Sequence, residues 1–122
     1  MSSFVIIDDS MVMRTVLRYM IERGGATVLG EGKNSEEAVA LAAELKPDAI
    51  TLAATLRGEE GLTVLAAVQK SAWNGKVFFV VGAEQSAGEE AAARQSGVDG
   101  VLRKPFTLDQ VSTEILRVMG SS

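Results

Sequence analysis

The sequence alternates five short apolar runs with five segments that repeat apolar residues at helical spacing. The apolar runs lack polar alternation, and Val77-Phe78-Phe79-Val80-Val81 is apolar throughout. Such a run is typical of a strand in a parallel sheet that is covered on both faces. The predicted strands are Ser3–Ile7, residues 27–31, Ala49–Ala53, Lys76–Val81 and Gly100–Arg103.

Five helices are predicted by apolar periodicity and by residues that cap helix ends. The first ends at Gly24-Gly25, and the third covers about residues 60–71. The third helix is expected to turn Leu62, Leu65 and Ala66 inward. Capping boxes are predicted at the starts of the second, fourth and fifth helices, at Asn34 with Glu37, Ser86 with Glu89, and Thr107 with Gln110.

Strict alternation of strand and helix predicts one α/β domain over residues 1–122, with a five-stranded parallel sheet and helices on both faces. The common small solution is the flavodoxin-like (βα)5 fold with strand order 2-1-3-4-5. In such folds ligands bind where the strands end. The residues predicted at or just after carboxyl ends of strands are Asp8, Asp9, Ala53, Val81 and Lys104.

Composition removes several classes of function. The chain contains no cysteine and no histidine, which excludes thiolate chemistry and the most common general base. Its net charge of -4 offers no basic surface, so we expect no nucleic-acid partner. No segment approaches the roughly 20 apolar residues of a membrane helix, and no basic leader precedes residues 4–7. We therefore expect a cytoplasmic protein with no membrane partner.

Four motifs together resemble the receiver domain of response regulators, of the single-domain, CheY-like kind that acts in two-component signal transduction. They are Ile6-Ile7-Asp8-Asp9-Ser10, residues 47–52, Glu60-Gly61-Leu62 and Lys104-Pro105-Phe106. The resemblance covers the whole chain, and the paired acids with Lys-Pro-Phe are its most specific part. It implies the receiver fold, a cis bond before Pro105, and a site at the carboxyl ends of the strands.

The resemblance also implies a role for each position of that site, and the chain departs from the pattern at three of them. In the family, acids at positions 8 and 9 help to hold Mg²⁺, an aspartate at 53 accepts the phosphoryl group, and the lysine at 104 binds it. A hydroxyl at 81 and an aromatic ring at 101 respond to the phosphate. This chain has Ala53, Val81 and Val101 instead, so we expect an atypical, or pseudo-, receiver without a phosphoacceptor.

The remaining polar residues of the site have two interpretations. Asp8 and Asp9 could still hold Mg²⁺ with water ligands, or they could pair with Lys104 and cap nearby backbone. We favour the second, with weak Mg²⁺ binding at most and no other cofactor. Likewise Arg57 belongs either to a solvated charged loop or to the emptied pocket, where it would lean toward Asp8 or Asp9.

The expected function is signalling by protein–protein contact, independent of aspartyl phosphorylation, in a pathway such as chemotaxis or motility. The resemblance implies that the partner binds the face made by helix 4, strand 5 and helix 5. Candidate residues of that interaction surface are Gln85, Glu89, Arg94, Val101, Gln110 and Glu114. We expect no enzymatic activity, and a monomer or weak homodimer.

Two alternatives remain open. The first is a ligand-responsive module in which Lys104 binds a small anion or nucleotide, although Asp8-Asp9-Ser10 replaces any glycine-rich phosphate loop. The second is phosphorylation of a nearby hydroxyl, at Ser10, Thr51 or Thr55. An enzyme of this fold is disfavoured because the chain lacks histidine and cysteine.

Overall fold

The apolar runs form the five parallel strands of one sheet, in a computed structural model that describes residues 2–120; Met1, Ser121 and Ser122 lie outside the described residues. The strands are β1 (Ser3–Ile7), β2 (Thr27–Gly32), β3 (Ala49–Ala53), β4 (Lys76–Val81) and β5 (Gly100–Arg103). The helices are α1 (Met11–Arg23), α2 (Ser35–Leu45), α3 (Gly61–Lys70), α4 (Ala87–Gln95) and α5 (Leu108–Met119). The sheet order is β2-β1-β3-β4-β5, so the predicted flavodoxin-like topology is confirmed.

Alternate residues of the central strands feed two separate hydrophobic cores, because side chains of a strand point to opposite faces. Phe4 and Ile6 of β1 pack with α1 and α5, whereas Val5 and Ile7 pack with α2, α3 and α4. Phe4 and Phe78 touch with ring centroids 5.7 Å apart. Both faces of the sheet are therefore covered, which explains the apolar strands.

Side chains cap the helices much as the sequence predicts. The boxes of Ser86 with Glu89 and of Thr107 with Gln110 are both complete. At α2 only half of the predicted box forms: Asn34 accepts from the Glu37 amide, but the Glu37 carboxylate accepts from Lys33 N. The predicted second half of that box was wrong because the preceding residue offers its N–H instead.

The segment between β3 and α3 is a short hairpin rather than a charged loop. Thr55–Leu56 pairs antiparallel with Glu59–Glu60, and Gly58 takes the positive φ of 78° that the turn requires. We call residues 55–60 the β3–α3 hairpin. Helix α3 then begins at Gly61, and its buried stripe is Gly61, Val64, Leu65 and Val68, so that Ala66 lies off the stripe and is exposed. The expectation that Ala66 faces inward was wrong.

Trp73 closes the opposite end of the sheet, where the strands begin. It is half-buried, and its Nε1 donates to Pro47 O at 2.7 Å. Pro47 leads into β3 and Trp73 leads into β4, so the indole ties together the amino ends of two neighbouring strands.

Within residues 2–120, none of the helices is both long enough and apolar enough to cross a membrane.

Candidate functional site

The carboxyl ends of β1, β3, β4 and β5 bring the predicted site residues to one edge of the sheet. Ile7 is opposite Leu52 in the β1–β3 register, so Asp8 and Ala53 follow side by side. Lys104 N donates to Val81 O at 2.8 Å, which places the lysine beside the end of β4. We call Asp8, Asp9, Ala53, Val81 and Lys104 the carboxyl edge.

Asp8 is the most buried charged residue at this edge, with 3% of its surface exposed. Its Oδ1 accepts from Ser10 N at 2.9 Å, but its Oδ2 is buried and has no hydrogen-bond partner within residues 2–120. Burial raises the pKa of the Asp8 carboxyl above its ordinary value of 3.8, and the Ser10 amide and the charge of Lys104 only partly oppose this. The ionised carboxylate is therefore a cost to the folded state at neutral pH.

Asp8→Asn is expected to stabilise the protein at pH 7 by about 1 kcal/mol, because it removes a buried charge and keeps the Oδ1 acceptor. Since the pKa is raised in the folded state, wild-type stability falls as pH rises from 3.8 through the folded pKa. The difference in stability between Asp8→Asn and wild type should therefore shrink at pH values below this range. Urea denaturation at several pH values measures it.

Asp109→Asn is the matched control, since that side chain is exposed in the first turn of α5. It should change stability by less than about 0.5 kcal/mol at any of these pH values. A wild type more stable than Asp8→Asn at pH 7 would contradict the burial argument.

Asp9 fastens the β3–α3 hairpin to the carboxyl edge. Its Oδ2 accepts from Arg57 N at 2.6 Å, so Arg57 reaches the acid through its backbone while its side chain is exposed. The exposed side chain fits the interpretation of Arg57 as part of a solvated segment, and only its backbone contacts the acid. Beside them Arg14 donates to Asp8 O at 2.7 Å and pairs with Glu31 at 3.1 Å, which holds the loop after β1.

Lys104 does not form the expected ion pair. No carboxylate of residues 2–120 lies within 4.0 Å of its ammonium group, although the side chain is half-buried. Asp8 and Asp9 each direct one carboxylate oxygen to a backbone amide, of Ser10 and of Arg57, which holds both carboxylates away from the ammonium group. Lys104 acts on Asp8 only through its charge at longer range. The peptide bond between Lys104 and Pro105 is cis, as the resemblance implied.

Between the acids and Lys104 the edge is apolar. Ala53 and Val81 are 4% and 0% exposed, and neither offers an oxygen or nitrogen in its side chain. Val101 lies in the middle of β5 and is half-buried. Its amide donates to Glu114 Oε2 at 2.8 Å.

The donor set limits what cation the edge can hold. No group of three acidic, histidine or cysteine side chains among the described residues could bind a metal. The unpartnered Oδ2 of Asp8 has the chemistry of a Mg²⁺ ligand, but Asp9 Oδ2 already accepts from Arg57. Two carboxylates with water fit a weak Mg²⁺ site, and weak binding stays a prediction.

The candidate interaction residues divide by what their side chains do. Glu89, Arg94 and Gln110 are exposed on α4 and α5. Glu114 instead accepts from Val101 N and pairs with Arg117 at 2.8 Å, and the hydrogen bond from Arg117 holds its pKa below the ordinary range. Gln85 turns toward the carboxyl edge, where its Oε1 accepts from Gly82 N at 2.6 Å. Partner binding by these residues stays a prediction.

A cavity of about 540 Å³ runs along this surface between β5 and α5. Its walls include Val101, Lys104, Phe106, Gln110 and Glu114. It thus connects the carboxyl edge to the helix face that the sequence singled out.

The contacts of the β3–α3 hairpin were not predicted from the sequence. Gln85 Nε2 donates to Thr55 Oγ1 at 3.2 Å, and Ser35 N donates to Glu59 Oε1 at 2.9 Å. Arg57-Gly58 was the only local signal for the turn, and it says nothing about which residues the hairpin contacts.

Comparison with known proteins gives consistent matches. The family described as response regulator receiver domain matches residues 4–116. The chain is 32% identical over 111 residues to the chemotaxis protein CheY of Listeria monocytogenes, which covers 91% of this chain and 92% of that protein. The response regulator domain of Thermotoga maritima CheB superposes with a TM-score of 0.82 at 30% identity, covering 99% of this chain and 98% of that one.

A longer relative is also similar over this region. The chain is 36% identical over 121 residues to protein-glutamate methylesterase/protein-glutamine glutaminase 5 of Myxococcus xanthus, and the match covers 95% of this chain. It spans only 33% of that enzyme, so the likeness concerns one part of it.

Proposed function

Because the chain belongs to the response regulator receiver family, we propose that it is a pseudo-receiver, which binds a partner protein without phosphorylation of an aspartate. The observation that carries the proposal is Ala53, a buried methyl group beside Asp8 at the end of β3. Phosphoryl transfer to the protein requires a nucleophilic oxygen, and a methyl group has none.

The loss at position 53 is matched by losses where a phosphoryl group would be sensed. Val81 has no hydroxyl with which to follow a phosphate, and β-branched Val101 is too small and stiff to act as a rotating aromatic ring. Asp8 and Lys104 remain, but no ion pair of 4.0 Å or less joins them. Weak Mg²⁺ binding at Asp8 and Asp9 would supply charge compensation there and no chemistry.

The partner surface in this proposal is the face of α4, β5 and α5. Glu89, Arg94 and Gln110 stand exposed on it, beside the cavity that Val101 lines. A face with both signs of charge and no large apolar patch suits reversible contact with another protein. The similarity to a chemotaxis protein supports a place in chemotaxis or motility. In this proposal the chain acts in the cytoplasm and has no enzymatic activity of its own.

The proposal predicts that acetyl phosphate does not label the protein, since no aspartate stands at position 53. It also predicts that Arg94→Glu weakens capture of the partner by about tenfold, because the charge at the face is reversed. Capture of the same protein, identified by mass spectrometry, measures the second effect. Lys70→Glu is the matched control: it makes the same charge change at an exposed site on α3 and should leave capture unchanged.

Two results would overturn the proposal. One is labelling by acetyl phosphate or a kinase that a single substitution abolishes, which would favour phosphorylation at another residue. The other is a saturable rise in melting temperature with inorganic phosphate or a nucleotide that Lys104→Ala removes. That result would favour the anion-responsive alternative, which the uncompensated charge of Lys104 supports.

A further inference from the structure

The β3–α3 hairpin is held by side-chain hydrogen bonds to three other segments, which are the loop after β1, the start of α2 and the β4–α4 loop. Asp9, after β1, accepts from the hairpin at Arg57 N. Glu59 of the hairpin accepts from the first amide of α2, at Ser35, where the helix dipole favours an acid. Gln85, between β4 and α4, donates to the hairpin at Thr55. At the base of the hairpin Gly61 N donates to Ala54 O at 2.8 Å.

Gln85 makes the most connected of these contacts. Its Oε1 accepts from Gly82 N at 2.6 Å, its Nε2 donates to Thr55 Oγ1 at 3.2 Å, and its own amide donates to Gly82 O at 3.2 Å. One carboxamide thus fixes the turn of its own loop and joins that loop to the hairpin. A carboxamide suits this place because it carries both a donor and an acceptor.

Gly82 is buried just after β4, and both of its backbone polar groups bond to Gln85. Glycine is not required there for space, because an added Cβ would meet only the Glu84 carboxylate, the flexible end of an exposed side chain. The loop is therefore closed by the contacts of Gln85.

The same loop is tied to α4 through the end of β5. Arg103 donates to Gln85 O at 3.4 Å and to Glu90 Oε1 at 2.5 Å. Glu90 also pairs with Arg94 at 3.5 Å. A continuous set of polar contacts therefore runs from the hairpin through Gln85 and Arg103 to the outer face of α4.

We propose that Gln85 is a positioning residue, whose carboxamide clasps the β4–α4 loop to the β3–α3 hairpin and so holds α4 in one place without a phosphoryl group. The clasp deepens the proposed function and rests on it, since it would keep the surface of α4, β5 and α5 permanently in its binding form. It also assigns Gln85 a role inside the molecule instead of at the partner interface.

Hydrogen exchange on the whole protein tests the clasp without any partner. Gln85→Ala should speed amide exchange by about tenfold at Gly82 and also at Arg57 and Glu90. The net loss of about one hydrogen bond lowers the free energy of local opening, and residues that open together share that loss. Gln85→Glu keeps the acceptor for Gly82 N and can accept the Thr55 hydroxyl, so it should retain most of the protection.

Thr55→Val removes only the far end of the clasp and preserves the shape of the side chain. It should speed exchange at Arg57 and Glu90 about as much as Gln85→Ala does, and the double variant should add little more. Because valine is isosteric with threonine, this variant keeps the test valid if Gln85→Ala proves unstable.

Gln69→Ala is the matched control, since Gln69 Nε2 donates to Ser96 O at 2.7 Å, at the other end of α4. It should speed exchange near Ser96 and leave Gly82 and Arg57 unchanged. The clasp is refuted if Gln85→Ala affects only Gly82, or if Thr55→Val changes nothing at Glu90. Failure to find a phosphorylation-independent partner would refute the proposed function. It would not contradict the exchange results, which are measured without a partner.

Discussion

Ala53→Asp is expected to lower the free energy of unfolding by about 3 kcal/mol, because it places an unpaired carboxylate at a buried position beside the already desolvated Asp8. Like charges at close range add to the desolvation cost. With three carboxylates at the edge, the variant should bind Mg²⁺ more tightly than wild type and recover part of the loss. Urea denaturation with Mg²⁺ or with a chelator measures both effects.

The same variant is expected to gain no signalling switch. Acetyl phosphate could now label the introduced carboxylate, but Val81 and Val101 still lack the groups that would respond. Amide chemical shifts of α4, β5 and α5 should therefore stay unchanged after labelling. Ala53→Asn separates shape from charge, and should cost clearly less stability. A phosphate-dependent shift of α4 in Ala53→Asp would contradict the proposed loss of the relay.

Gly61→Ala is expected to destabilise the protein by about 3 kcal/mol, at the upper end of what overpacking costs. A Cβ at this position would lie 2.6 Å from Ala53 O, 2.8 Å from Ala54 O and 2.8 Å from the Phe79 ring. Backbone oxygens cannot move aside as a flexible side chain can. The midpoint of urea denaturation reports the change, with the slope unchanged.

Gly88→Ala is the matched control, because Gly88 also lies in the first turn of a helix. The only described atom near its added Cβ is Ser86 Oγ at 3.7 Å, an ordinary contact. Alanine favours a helix over glycine by up to about 1 kcal/mol, so this variant should be as stable as wild type or more so. Equal effects of the two substitutions would contradict the close packing of Gly61.

The sheet could be predicted because its signal is local. Four of the five strands begin and end where predicted, and β2 differs only in ending at Gly32 instead of residue 31. The alternation of strands and helices then fixes which strand ends meet at one edge of the sheet. The prediction that Asp8, Ala53 and Lys104 lie at the same edge was therefore correct. The exposed Ala66 was predicted wrongly because several apolar stripes are possible along α3, and the one that packs inward is Gly61, Val64, Leu65 and Val68.

The contacts of the edge could not be predicted because they join residues far apart in the chain. Arg57 and Asp9 are 48 positions apart, Gln85 and Thr55 are 30 apart, and neither pair has a local signature. The ion pair expected for Lys104 was also wrong, because two strand ends at one edge do not fix which side chains come within 4.0 Å of each other. The amides of Ser10 and Arg57 that orient Asp8 and Asp9 are visible only once the chain is folded.

Trp73 is the one tryptophan of the chain, and its place at the amino ends of β3 and β4 makes it a built-in optical probe of a particular kind. Strand β4 has six residues and separates the indole from the carboxyl edge by about 20 Å. Intrinsic fluorescence should therefore follow the cooperative unfolding of the whole domain. It should not change when Mg²⁺, phosphate or a partner binds at the other end of the sheet. Spectroscopy of those events requires a reporter introduced near the hairpin.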